Sequence, residues 1–227
     1  NDSLVSYNDS MASPIPSPRW QRRPDSRPQE LLDAALCLFV ERGYAATRLE
    51  EVAQRAGVAK ATLYLYYENK LELFKAVVRH ALVERIDEVA QAQAGARLGA
   101  RKQLAALLTA FVQRVADSPL SGIPKLVIAE SGNFPEIARF YHDEVISRGR
   151  AMVVATLERG AASGEFRKVD SDYAWRIVIA PLLLAIIWKH SFQAFEREPL
   201  DLRRHLEAQL DLLLNGLAAP QKARKPR

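Results

Sequence analysis

The sequence predicts an all-α protein in which three short N-terminal helices are joined to a bundle of longer ones. Three observations lead there. From Pro28 to Gly216 apolar residues recur at spacings of three and four, with no sustained period-two alternation. Glycines and prolines fall between the periodic stretches, where helices start and stop. Residues 47–67 hold two short helical segments on either side of Gly57-Val58-Ala59, the spacing of a helix-turn-helix.

The first helix is expected over Pro28–Arg42, opened by Asp25 or Ser26, closed by Gly43, and buried along Leu31, Leu32, Ala35, Leu38 and Phe39. Cys37 lies among these and is expected as a buried small hydrophobe. The second helix starts at Thr47, which with Glu50 forms a capping box, and ends at Gly57. A third, very short helix covers Lys60–Tyr67. Asn69 and Glu72 cap a fourth, from Lys70 into the low nineties. Longer helices follow: 100–117, ending before Pro119, and one from Pro135 to near Gly164. Between them, 119–132 is expected to be looser, because it contains Pro119, Gly122, Pro124 and Gly132. A helix from Asp170 to Phe195 carries Pro181 and should kink there. The last spans 200–215, with Gly216 as its stop.

Charge is local rather than global. Of the net +5, residues 1–70 contribute nothing, with nine cations against nine anions, while 218–227 hold four cations and no acid. Arg19, Arg22, Arg23 and Arg27 cluster before the first helix, as a basic arm beside a DNA-reading module would. One cysteine excludes an internal disulfide and a multi-cysteine zinc site, and fits the reducing cytoplasm. The longest apolar run, Ile177–Trp188, falls short of the ~18 residues of a membrane span and is read as a helix buried on all sides. Residues 1–26 read as a disordered leader, with Met11 a possible natural start, and 218–227 as a disordered tail. No nucleophile–base pair, acidic metal motif or Gly-rich phosphate loop suggests catalysis, a cofactor or a metal; His142-Asp143-Glu144 is too short a cluster for one.

The helix-turn-helix is where function is legible. Ala53 is small where the two helices cross, Gly57 permits the turn, and Val58 plugs the angle. Leu63 and Tyr67, four apart, share an inward face. The outward face then carries Ala61, Thr62 and Leu65, flanked by Lys60, Tyr64 and Tyr66. An exposed leucine and two tyrosines suit a surface that dries against DNA.

The stretch T-R-L-E-E-V-A-Q-R-A-G-V-A-K-A-T-L-Y-L-Y-Y-E-N-K-L-E-L-F (Thr47–Phe74) resembles the TetR family of transcriptional repressors, with the likeness covering Arg27–Phe74. Ala59 stands where the family usually has a serine cap, Ala61 where glycine is common, and Tyr67 where phenylalanine is. The resemblance implies that Thr62, Tyr64, Tyr66 and Lys70 contact the DNA backbone, and that Lys60, Ala61 and Leu65 enter the major groove. It also implies that Arg48, with Thr47 at the start of the second helix, touches a phosphate or base. The chemistry agrees: Lys60 can donate to guanine and Leu65 can meet a thymine methyl.

The same resemblance implies domains at 27–70 for DNA binding and 71–217 for ligand binding and dimerisation. It implies a homodimer on a palindromic operator in double-stranded DNA, released by a hydrophobic small-molecule inducer. Residues 126–141 loosely resemble the efflux-pump regulators of the family. Phe111, Val115, Phe140, Tyr141, Trp175 and Ile179 are the expected lining, with Tyr141 as the polar handle. The 170–195 helix, joined by Leu206, Leu210, Leu213 and Leu214, is the expected subunit interface. The alternative is an inducer-independent DNA binder of the same fold, controlled by a partner.

Overall fold

The computed structural model describes residues 27–94 and 98–219; the expected leader, basic arm and most of the basic tail lie outside them. In order, the described elements are α1 (Arg27–Ala46), α2 (Leu49–Arg55), α3 (Lys60–Tyr66) and α4, which runs Lys70–Val78, through a π-turn at Arg79–Val83, into Glu84–Ala94. Then come α5 (Ala100–Phe111 with a π-turn at Val112–Ala116), α6 (Gly122–Glu130) and α7 (Pro135–Tyr141, a π-turn at His142–Ile146, then Ser147–Ser163). The last are α8 (Ser171–Ser191) and α9 (Leu202–Leu217). The fold is all-α; among the described residues a single antiparallel bridge joins Phe166 to Ala218.

Several boundaries differ from the sequence reading, each for a visible reason. The looser segment is mostly helix α6. Pro124 sits in its first turn, where a missing amide costs nothing, and Gly122 lets α6 lie against α1, since a Cβ there would overlap the Val40 side chain. α2 is capped one residue later than expected: Glu51, not Glu50, accepts the capping amide, that of Arg48, at 3.3 Å. Thr47 is instead buried, its hydroxyl 2.8 Å from the Gly43 carbonyl. α9 runs through Gly216 to Leu217. Cys37 is exposed, because it lies opposite the Leu31–Leu38 stripe.

Two apolar cores organise the chain. One runs unbroken from Leu31 on α1 through Leu63 and Phe74 to Ile123, Val127 and Phe140, so the three N-terminal helices share a core with α6 and the start of α7. The other gathers Leu104, Leu157, Leu182, Ile186 and Leu206 from α5, α7, α8 and α9. Phe111 packs against both.

Helix α8 was expected to be buried all round. It is not: Tyr173, Ile177 and Leu184 are exposed, with Ile177 at 65%. By length and composition it is apolar enough to cross a membrane, yet only 22% of its most apolar window is buried within the chain. Pro181 leaves it helical. On the covered side, His205 Nε2 lies 3.2 Å from the Pro181 carbonyl and Gln209 donates to that of Val178 at 2.6 Å. The leucines of α9 expected at an interface face this chain's own core: Leu206 is buried, and Leu210, Leu213 and Leu214 pack against that core.

Candidate nucleic-acid interface and ligand cavity

The turn between α2 and α3 is fixed by backbone chemistry. Gly57 has φ 66°, the left-handed region that favours glycine. Its amide reaches the Gln54 carbonyl at 3.1 Å and that of Val58 reaches Ala53 at 2.9 Å, the paired bonds of a Schellman motif. Ala53 is buried at the crossing, and Leu63 anchors α3 to the core. Ala59 caps α3 with no side-chain bond.

With Leu63 inward, the rest of α3 is presented to solvent. Leu65 is 84% exposed, Tyr64 43% and Tyr66 45%. Lys60 and Ala61 are exposed beside them, Thr62 is half-buried, and Arg48 is exposed at the start of α2. Lys60 forms an ion pair with Glu50 at 2.6 Å, which holds its pKa above the ordinary lysine value. An exposed pair of this kind is cheap to break.

Two expected contacts are committed elsewhere. The Thr47 hydroxyl is spent on α1 and its side chain is 1% exposed, so it offers nothing to a phosphate. The Lys70 ammonium lies 2.8, 3.0 and 3.1 Å from the carbonyls of Tyr44, Ala45 and Thr47, and above the Tyr44 ring. All three of its protons are used, and burial lowers its pKa. It satisfies carbonyls at the C-terminal end of α1, a favourable place for a cation.

A cavity of about 590 Å³ opens where the two cores meet. Of the expected lining, Phe111, Val115, Tyr141, Trp175 and Ile179 face it. Phe140 does not: it is buried in the first core, with the Arg79 guanidinium 5.0 Å from its ring centre. Adjacent in sequence, Phe140 and Tyr141 point to different faces of α7. Burial pushes the Tyr141 phenol far above its ordinary pKa, so it is a neutral hydrogen-bonding group. Leu82, Val115 and Val145, one from each π-turn, also line the wall; such turns recur at functional sites.

Sequence reasoning missed the arginines of the lining: Arg85, Arg114, Arg150 and Arg176. Each sits among apolar residues on an amphipathic helix, but that pattern alone also describes a surface cation reaching past an apolar stripe. Their common destination is a tertiary fact.

Comparison with known proteins agrees with this architecture. The family profile described as bacterial regulatory proteins of the tetR family matches residues 31–77, and that of the tetracyclin repressor-like C-terminal domain matches 99–198. The transcriptional repressor KstR2 of Rhodococcus jostii is 27% identical over 196 residues, 86% of this chain and 92% of its own. The fatty acid metabolism regulator protein of Bacillus subtilis is 26% identical, covering 87% of this chain and 97% of its own. Among solved structures, FadR of Bacillus subtilis in complex with stearoyl-CoA superposes with a TM-score of 0.71 at 21% identity, over 83% of this chain and 98% of that one. Fold and motif together define a helix-turn-helix transcription regulator. The chain belongs to the TetR family.

Proposed function

We propose that this protein is a cytoplasmic transcriptional repressor that binds a palindromic operator as a homodimer and leaves it when a long-chain acyl ligand fills the cavity. The observation that carries this reading is the cavity itself. It is large, mainly apolar and lined in part by α6, whose other face packs against α1 of the DNA-reading unit. Residues 27–70 form the DNA-binding unit, with Arg48, Lys60, Ala61, Thr62, Tyr64, Leu65 and Tyr66 as its contact set. Residues 71–217 bind the ligand and pair the subunits, and the exposed apolar face of α8 is the pairing surface. Two recognition helices about one DNA turn apart, ~34–36 Å, would read the half-sites. The acyl class is supported by the fatty acid metabolism regulator of Bacillus subtilis and by FadR of that organism, solved with stearoyl-CoA.

The test uses DNA from upstream of the protein's own gene and acyl-CoAs from octanoyl to stearoyl. Ligand binding should raise Tm and lower operator affinity in fluorescence anisotropy, since release requires unequal affinity for the two conformations. If no chain length does either, the ligand-responsive reading falls.

A further inference from the structure

Two donors on the cavity wall have nothing to donate to. Arg85 Nε on α4 and Trp175 Nε1 on α8 are shielded from water and meet no acceptor among the described residues. Buried N–H groups are nearly always paired in native proteins, so each requires a partner.

The charge balance of the wall points the same way. The described lining contains four arginines and no aspartate or glutamate. Arg114 is neutralised by Glu88 at 2.6 Å, and Arg150 by Asp172. Arg176 lies over the Trp175 ring at 4.7 Å and donates to the Asp172 carbonyl. Among the described residues Arg85 has no carboxylate within ion-pair distance. A guanidinium facing an apolar cavity without a counter-ion is unfavourable until an anion arrives.

We infer that the ligand is an anionic amphiphile whose charged head, a carboxylate or a phosphate-bearing group, pairs with Arg85. The Trp175 indole N–H donates to an acceptor on the same molecule, and the apolar tail lies along Leu107, Phe111 and Ile179. This inference rests on the cavity being the effector site. It adds that charge, not chain length alone, decides which molecule is read.

The experiment is isothermal titration of the full chain with palmitate, its uncharged methyl ester and palmitoyl-CoA. At least one of the two anions should bind about tenfold or more tightly than the ester. Arg85→Met should bring that anion to within about threefold of the ester while leaving the ester unchanged. Arg85→Lys, which keeps the charge, should retain the preference, and Trp175→Phe should weaken the anion about threefold. Melting of Arg85→Met should show a Tm no lower than that of the unaltered chain, because the change removes an unpaired charge. Palmitate as the Arg85-dependent ligand assigns the head to a carboxylate; palmitoyl-CoA alone assigns it to the phosphates. If the ester matches both anions, or Arg85→Met keeps the discrimination, the inference is wrong while the effector cavity stands. If none of the three binds, the effector reading itself fails and takes this one with it.

Discussion

The Glu130 carboxylate accepts the backbone amide of Ala45 at 3.2 Å, joining the last turn of α6 to the last turn of α1. Residues of α6 on another face, Pro124, Val127 and Ile128, belong to the cavity wall. One element therefore touches both the cavity and the end of α1 that leads into α2. Lys70 holds the same end of α1 through the Tyr44 and Ala45 carbonyls.

Cutting this link should uncouple the two sites. Glu130→Ala should leave affinity for palmitoyl-CoA unchanged but reduce the ligand-induced drop in operator affinity by about 1 kcal/mol, roughly fivefold. Anisotropy titrations with and without ligand measure it. A full response in the variant would route the coupling through other contacts.

Leu65 gives the cleanest test of the DNA-facing surface, because it is exposed and packs on nothing. Leu65→Ser should leave Tm within the range of ordinary surface changes, about ±0.5 kcal/mol. It should weaken operator binding by ~1 kcal/mol, through loss of an apolar contact to a base. Equal affinity of the two proteins would move base reading away from α3.

Much of this was legible in the sequence because it depends on local chemistry. The α2–turn–α3 unit follows from Gly57, Ala53 and Leu63, all within eleven residues. Five of six expected cavity residues were found because an apolar side chain on the inner face of a helix must meet either core or cavity. The failures share a cause. Thr47 and Lys70 match a contact pattern by position, but their polar groups are spent on the carbonyls at the end of α1, a partner 23 or more residues away for Lys70. Phe140 and Cys37 fell on the wrong side because adjacent helical residues differ by about 100° in direction, which a list of apolar letters does not resolve. The leucines of α9 were assigned to a partner subunit, whereas Leu206 is buried in this chain's second core and Leu210, Leu213 and Leu214 pack against it.

The exposed apolar side chains on α8 are where the proposed subunit interface is tested. Ile177→Arg or Leu184→Arg should place a charge on the exposed stripe of α8 without touching either core. Sedimentation should show monomer, and operator binding should fall by two orders of magnitude or more, since a buried unpaired charge costs about 3–5 kcal/mol. Leu210→Arg should instead lower Tm by damaging the second core. A dimeric Ile177→Arg protein would place the interface elsewhere.

Glu165 offers a pH-dependent test of the bundle. Gly99 has no side chain to cap α5, and the Glu165 carboxylate does so from 65 residues away, accepting the amides of Ala100 at 2.9 Å and Arg101 at 3.2 Å. The Ala100 amide is the main reason its pKa lies below the ordinary carboxylate value. A depressed folded pKa means the stabilisation is complete above the unfolded value, about 4.3, and is lost as pH falls through the folded one. Glu165→Ala should cost about 1 kcal/mol at neutral pH, or ~2–4 °C in Tm. The gap between the two melting curves should narrow as pH falls below about 4.3 and close once Glu165 is protonated in the folded state as well. A gap that persists in acid would assign the loss to packing.

The uncovered stripe on α8 also ties this protein's survival to its abundance. In the proposed homodimer Ile177 and Leu184 are closed by the second copy, so part of the folding free energy is supplied by association. The melting temperature then rises with protein concentration. At low copy number the chain spends more time as a monomer with an apolar helix in water, the form that proteases and chaperones take up. A repressor built this way has a threshold: dilution removes it from DNA twice over, first by breaking the pair of reading heads and then by exposing the half that remains to degradation.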